Sequence, residues 1–132
     1  MKCHEIIEKS YYYVVNGSNR KPTANIKPGT SQQEKINSRI NRIRFDEPDM
    51  HLYGFITIFN TTKSRLEALE HDIKADLVDA GFKHFGNDHF RFTFSHGYTR
   101  NEQYKMVSMA ILIKAMLYCE QYNLKYELTI SD

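Results

Sequence analysis

The sequence predicts an α+β fold, a two-layer sandwich with a small sheet of three to four strands and its helices packed on one face. From residue 31 onward, helical and extended patterns alternate: helix, strand, helix, strand, helix, strand. Two of the extended segments switch strictly between apolar and polar residues, the mark of a sheet with one packed and one solvated face. A chain of 132 residues, 41% apolar and 26% charged, has the size and composition of one domain that folds without metal or disulfide. On this reading residues 1–30 are an N-terminal segment containing a mobile basic loop (16–30), and 31–132 are a single α+β domain.

Residues 2–15 carry an apolar stripe at helical spacing, yet Tyr11-Tyr12-Tyr13-Val14-Val15 is strand composition. A short helix or turn feeding a strand at 11–15 is expected, ended by Asn16-Gly17. Gly, Ser, Asn, Pro and Lys dominate residues 16–30, which read as a mobile loop with too few apolar groups to order itself. Ser31 then offers an N-cap, with Glu34 completing a capping box. Ile36, Ile40 and Ile43 draw one stripe on a helix ending near Arg44. Residues 46–49 form a turn, and Leu52 to Phe59 is the clearest strand.

Lys63 to Ala80 is an amphipathic helix with Leu66, Leu69, Ile73, Leu77 and Val78 on one face, closed by Gly81. Residues 81–88 read as a plain connection. They follow a helix rather than a strand, so their glycines lack the setting of a phosphate-cradling loop. His89 to Ser95 alternates, with Phe90, Phe92 and Phe94 on one side. Thr99 and Glu102 form a capping box that opens a long helix to about Tyr122, whose stripe is Met106, Met109, Ala110, Ile113, Leu117 and Tyr118. Tyr126, Leu128 and Ile130 alternate as a final strand.

The net charge of +2 is unevenly spread. From Asn16 to Arg44, Arg20, Lys21, Lys27, Lys35, Arg39, Arg42 and Arg44 face Glu34 alone, a local net charge of +6. Such a stretch either neutralises phosphates in a salt-sensitive, sequence-blind way or is a solvated linker and helix face. On the helix at 63–80, Asp72 and Asp76 lie on the outer face, which reads as a solvated acidic face that also offers a patch to a basic partner.

The two cysteines, Cys3 and Cys119, make no disulfide framework, and the N-terminus shows no signal-peptide pattern. The longest apolar run, Met106 to Cys119, is interrupted by Ser108 and Lys114 and too short for a bilayer. A reduced, cytoplasmic protein with no membrane partner is expected. The six histidines lack the short spacings of a zinc site. His51, His84, His89 or His96 with Arg91 and Tyr98 would be the material of a histidine-dependent nuclease, but the paired His motifs of such enzymes are absent. No catalytic residue, metal or cofactor is assigned.

If Ile56 and Ile58 point inward, then Tyr53, Phe55, Thr57 and Phe59 point outward, with Arg91, Thr93 and Ser95 lining the same outer face. Aromatic and basic groups on an open sheet stack bases. Tyr53-Gly54-Phe55-Ile56-Thr57-Ile58 resembles the central part of the eight-residue signature of the RNA-recognition motif family. Tyr13-Val14-Val15-Asn16 is similar to its six-residue one. The resemblance implies RNA bound on the sheet face. It departs from the family at Leu52, in a Gly place, at His51, in a Lys or Arg place, and at Ile58, in an aromatic place. Alternatively, the aromatics are covered by residues 11–15 or by the helix at 31–44.

The leading expectation is a non-catalytic binding protein that docks on a protein or nucleoprotein complex and inhibits or modulates it, of the anti-defence or immunity kind carried by mobile elements. The alternative is a single-stranded RNA- or DNA-binding protein. Candidate contacts for either are Arg20, Lys21, Lys35, Arg39, Arg42, Arg44, Tyr53, Phe55, Phe59 and Arg91.

Overall fold

The computed structural model describes residues 5–17, 24–32, 36–86 and 89–131. The chain runs β1 (Ile6–Asn16), β2 (Ala24–Ser31), α1 (Ile36–Asp46), β3 (His51–Thr62), α2 (Lys63–Asp79), β4 (Lys83–Phe85), β5 (His89–Phe92), α3 (Arg100–Gln121) and β6 (Lys125–Ile130). The strands form one sheet of six in the order β4-β5-β2-β1-β3-β6, and every neighbouring pair is antiparallel.

This corrects the expected sheet of three to four strands. The additions are β2 and β4, both in stretches whose Gly, Pro, Asn and Lys content reads as loop. β2 borrows its order from its neighbours: Tyr11 to Asn16 pair with Ser31 back to Ile26 on one side, and Ala24 to Ile26 pair with β5 on the other. β1 likewise begins at Ile6 rather than residue 11.

Helices on one face only is the second correction. α2 and α3 cover one face, burying Tyr12, Val14, Ile26, Ile56, Ile58 and Phe90 beneath Leu66, Leu69, Ile73, Ile111 and Leu112. α1 lies on the other face, where Ile40 and Ile43 pack on Tyr13, Val15 and Met50, with Ile36, Leu52 and Phe55 at the margin. β1 is therefore covered on both sides, and residues 11–15 are all buried. A strand with two packed faces reads as a continuous apolar run, which is why Tyr11 to Val15 does not alternate.

α1 starts at Ile36. Ser31, expected to cap it, is the last residue of β2 and is buried there, and Glu34 lies outside the described residues. α2 has Thr62 as its N-cap, with Thr62 Oγ1 accepting from the Arg65 N–H, and ends where Gly81 adopts φ +98°. Val78, assigned to its packed face, is 49% exposed.

The capping box at α3 forms as expected. The Glu102 N–H donates to Thr99 Oγ1, and the Thr99 N–H donates to Glu102 Oε1. These bonds hold the Glu102 carboxyl below its ordinary range.

The buried face of α3 differs from the expected stripe. Tyr104, Ser108, Ile111, Leu112, Ala115, Tyr118 and Cys119 are buried, whereas Met106, Ala110, Ile113 and Leu117 are exposed. Nearly every side of this helix is apolar between residues 106 and 119, so periodicity alone leaves two phases open. Two polar residues obscured the correct one. Ser108 is buried because its Oγ accepts from Asn16 Nδ2, and Gln103 because it exchanges hydrogen bonds with Ser95 and donates to the Tyr98 carbonyl.

Among the described residues no helix is long and apolar enough to cross a membrane.

Candidate partner-binding surface

α1 presents three sides set by its 3.6-residue period. Ile36, Ile40 and Ile43 face the sheet. Ser38, Arg42 and Phe45, at the same i, i+4, i+7 spacing, point away from it. Phe45 is 87% exposed, the most exposed large apolar side chain among the described residues. The exposed Arg42 stands beside it on the same side.

The third side, Asn37, Asn41 and Arg44, looks into a polar cleft of about 830 Å³. The opposite wall comes from the first turns of α3, with Asn101 and Lys105, and the floor from the start of β3, with His51. Arg44 also sits in the last turn of α1, where a cation complements the partial negative charge of the helix end. Tyr104 closes the cleft base. Its hydroxyl accepts from the Asn25 N–H, and burial raises its pKa.

The position of α1 is secured from both ends. Arg39 Nε donates to the Tyr13 hydroxyl at 3.3 Å. Beyond its last turn, Glu47 places both carboxylate oxygens 2.8 and 2.9 Å from His89 Nε2 on β5. Arg39 and Glu47 thus brace the helix that carries Arg42 and Phe45.

The expected sites fall in different places. Arg20, Lys21 and Lys35 lie outside the described residues. Arg39 is tied to the sheet, Arg42 is exposed beside Phe45, and Arg44 lines the cleft.

Tyr53 does not face outward with Phe55, as expected, but is buried among α2 and α3. The cause is a bulge: Val14 pairs with Gly54 and Val15 with Leu52, so Tyr53 has no opposite residue. The chain's alternation is displaced by one, turning Tyr53 to the far face and Leu52 towards α1. Phe55 stays on the expected face but packs edge-on against Tyr11, ring centroids 5.6 Å apart, at the margin of α1. The two segments that resemble the RNA-recognition motif do lie on neighbouring antiparallel strands, with Tyr13 opposite Phe55, and α1 packs over this pair.

Phe59 is half-buried, with Lys125 Nζ 5.6 Å from its ring, and the Arg91 guanidinium stands 3.9 Å from the Phe85 ring at the far edge of the sheet. Asp72 and Asp76 are exposed on α2, and Asp76 pairs with Lys114 of α3 at 3.5 Å. This carboxylate braces two helices as well as facing solvent.

The histidines are dispersed. His51 lines the cleft, His84 stacks on Phe90 with centroids 4.9 Å apart, His89 is held by Glu47, and His96 is exposed in a turn. Among the described residues no three His, Cys, Asp or Glu side chains are grouped to hold a metal ion.

Sequence reasoning passed over Phe45, the three asparagines and Lys105. Phe45 carried a usable signal, because an aromatic two residues out of phase with an isoleucine stripe must point to solvent. Asn101 and Lys105 carried none, since only the sheet brings α3 opposite α1. No family model, no curated protein and no solved structure matches the chain.

Proposed function

We propose that this chain is a non-catalytic binding protein that docks through α1 on a protein or nucleoprotein complex and modulates it, as small inhibitors of the anti-defence or immunity kind do. The observation that carries the reading is Phe45, 87% exposed on a braced helix and sharing its outward face with Arg42. A buried aromatic and a paired arginine supply most of the energy of a typical interface, and the surrounding polar rim excludes water. The partner's matching surface is an apolar pocket edged with acidic groups or phosphates.

A second reading, a single-stranded nucleic-acid binder, is favoured by the polar cleft, where Asn37, Asn41, Arg44 and Lys105 suit a phosphodiester strand and, among the described residues, the Asp49 carboxylate alone opposes it. The aromatic platform that this reading first invoked loses Tyr53 to the core and has Phe55 at the margin of α1.

One experiment separates the two. Tagged protein is used to capture partners from nuclease-treated and untreated lysate, beside Phe45→Ala and Arg42→Glu, and anisotropy is measured with short single-stranded RNA and DNA. The docking reading expects a partner retained at physiological salt and lost with either substitution. Steeply salt-dependent binding to bare nucleic acid, lost with Arg44→Glu or Lys105→Glu but kept in Phe45→Ala, selects the second reading. Retention of every partner by Phe45→Ala and Arg42→Glu overturns the docking role of α1.

A further inference from the structure

The two edges of the sheet are unlike. β4 ends it with three residues, whereas β6 ends it with six residues in unbroken register with β3, from Gly54 opposite Ile130 to Phe59 opposite Lys125. The Ser131 N–H donates to the Tyr53 carbonyl at 2.9 Å, which sets the phase of the ladder. Odd-numbered residues of β6 bond inward to β3, so Tyr126, Leu128 and Ile130 aim their N–H and C=O groups outward. Among the described residues no strand pairs with that edge.

Edges this long are normally protected by a proline, a bulge or an inward-pointing charge. β6, with the sequence KYELTI, has neither proline nor bulge. Its charges, Lys125 and Glu127, lie on the face away from α2 and α3. On the α3 side, Leu128 is 40% and Ile130 37% exposed.

Where α3 turns into β6, the Tyr126 hydroxyl donates to Glu120 Oε2 at 2.6 Å. The open strand edge is thus flanked by two exposed apolar side chains of its own, Leu128 and Ile130.

We infer that this surface is the interface with a second copy of the same chain, the two β6 strands pairing antiparallel about a two-fold axis so that one sheet runs through both molecules. A two-fold perpendicular to the sheet keeps opposite residues on the same face, which leaves few registers. With Leu128 opposite its own copy, Tyr126 meets the partner's Ile130 and Glu127 meets the partner's Thr129. All three outward-facing residues then exchange both backbone bonds, about six hydrogen bonds in all.

One step towards the end of β6 sets Thr129 against its own copy and leaves Tyr126 beyond the partner strand, for about four bonds; the registers towards its start are poorer as well. One step towards the start of β6 sets Glu127 against its own copy, a like-charge pair. The next step calls on the Leu124 N–H, which already donates to the Cys119 carbonyl. The favoured register also brings the exposed Leu128 and Ile130 of both copies together across the axis, as an isologous interface requires.

The test is light scattering on the full chain after size exclusion across a concentration series, with Leu128→Lys and Val78→Lys compared by circular dichroism. The expected result is twice the 15.6 kDa chain mass, halved in Leu128→Lys and unchanged in Val78→Lys, which alters exposed α2. Hydrogen exchange of the unaltered protein gives an independent readout. On concentration, the amides of Tyr126, Leu128 and Ile130 slow, while those of Glu127 and Thr129 are slow throughout. A monomer at the highest soluble concentration overturns the proposal, as does a dimer that survives Leu128→Lys. Protection of these amides only on adding a different protein likewise overturns it, assigning the edge to another partner.

Discussion

The phenol ring of Tyr13 lies across the backbone of Gly29, so close that a Cβ on Gly29 would stand 2.7 Å from the Tyr13 hydroxyl oxygen. Tyr13 is 1% exposed and its hydroxyl receives the Arg39 guanidinium, so the ring has no free space to retreat into. Gly29→Ala is expected to lower stability by about 1–3 kcal/mol, the usual result of overpacking. At Gly17, where the nearest atoms would be 3.3 Å away, alanine is expected to cost less. Urea midpoints of the two variants check the order.

Glu47 and His89 are separated by 42 residues and joined by contacts of 2.8 and 2.9 Å, with side chains 35% and 14% exposed. The pair clamps the end of α1 to β5. A double-mutant cycle with Glu47→Gln and His89→Ala is expected to give a coupling of about 1 kcal/mol at neutral pH, and zero coupling would mean the pair holds nothing. Hydrogen exchange near residues 43–50 should accelerate in either single variant, because the clamp rather than the core is what is lost.

Burial pushes the Cys119 thiol up to about 11 from an ordinary 9.0, with the Glu120 carboxylate adding to the shift. The folded state thus favours the protonated thiol. Its stabilising contribution is complete below pH 9 and is lost as pH rises to about 11, amounting to roughly 3 kcal/mol at most. Cys119→Ala should show a correspondingly flatter decline over that window. In the native protein at pH 8, iodoacetamide is expected to leave Cys119 unmodified and to label it on unfolding, as peptide mass spectrometry would show.

Thr99→Ala removes one half of the α3 capping box and is expected to cost about 1 kcal/mol. The other half is the bond from the Thr99 N–H to the Glu102 carboxylate; because it lowers the Glu102 pKa, its contribution is present above the ordinary carboxylate range and lost as pH falls through the folded value. The difference in thermal midpoint between Glu102→Gln and the unaltered chain should shrink from pH 7 towards pH 3.

β3, α2, the capped start of α3 and the alternation of β5 and β6 are legible in the order of residues alone. Each of these follows from local rules: the period of apolar residues, a side chain capping its own helix, a pleat that alternates faces. The basic side of α1 was legible on the same grounds, from Arg42 and Arg44 beside an isoleucine stripe. That Ala24 to Ser31 is a strand follows from contacts between elements, because its order comes from backbone bonds to β1 and β5 and from the Tyr13 ring that needs Gly29 beneath it. The same holds for Tyr53, turned to the far face by a one-residue mismatch between β1 and β3, and for α3, whose two apolar phases were separated by Asn16 reaching Ser108. Contacts between residues 10 to 92 positions apart leave no periodic trace in either partner, so the chain spells out its helices while the sheet chooses which of their faces are buried.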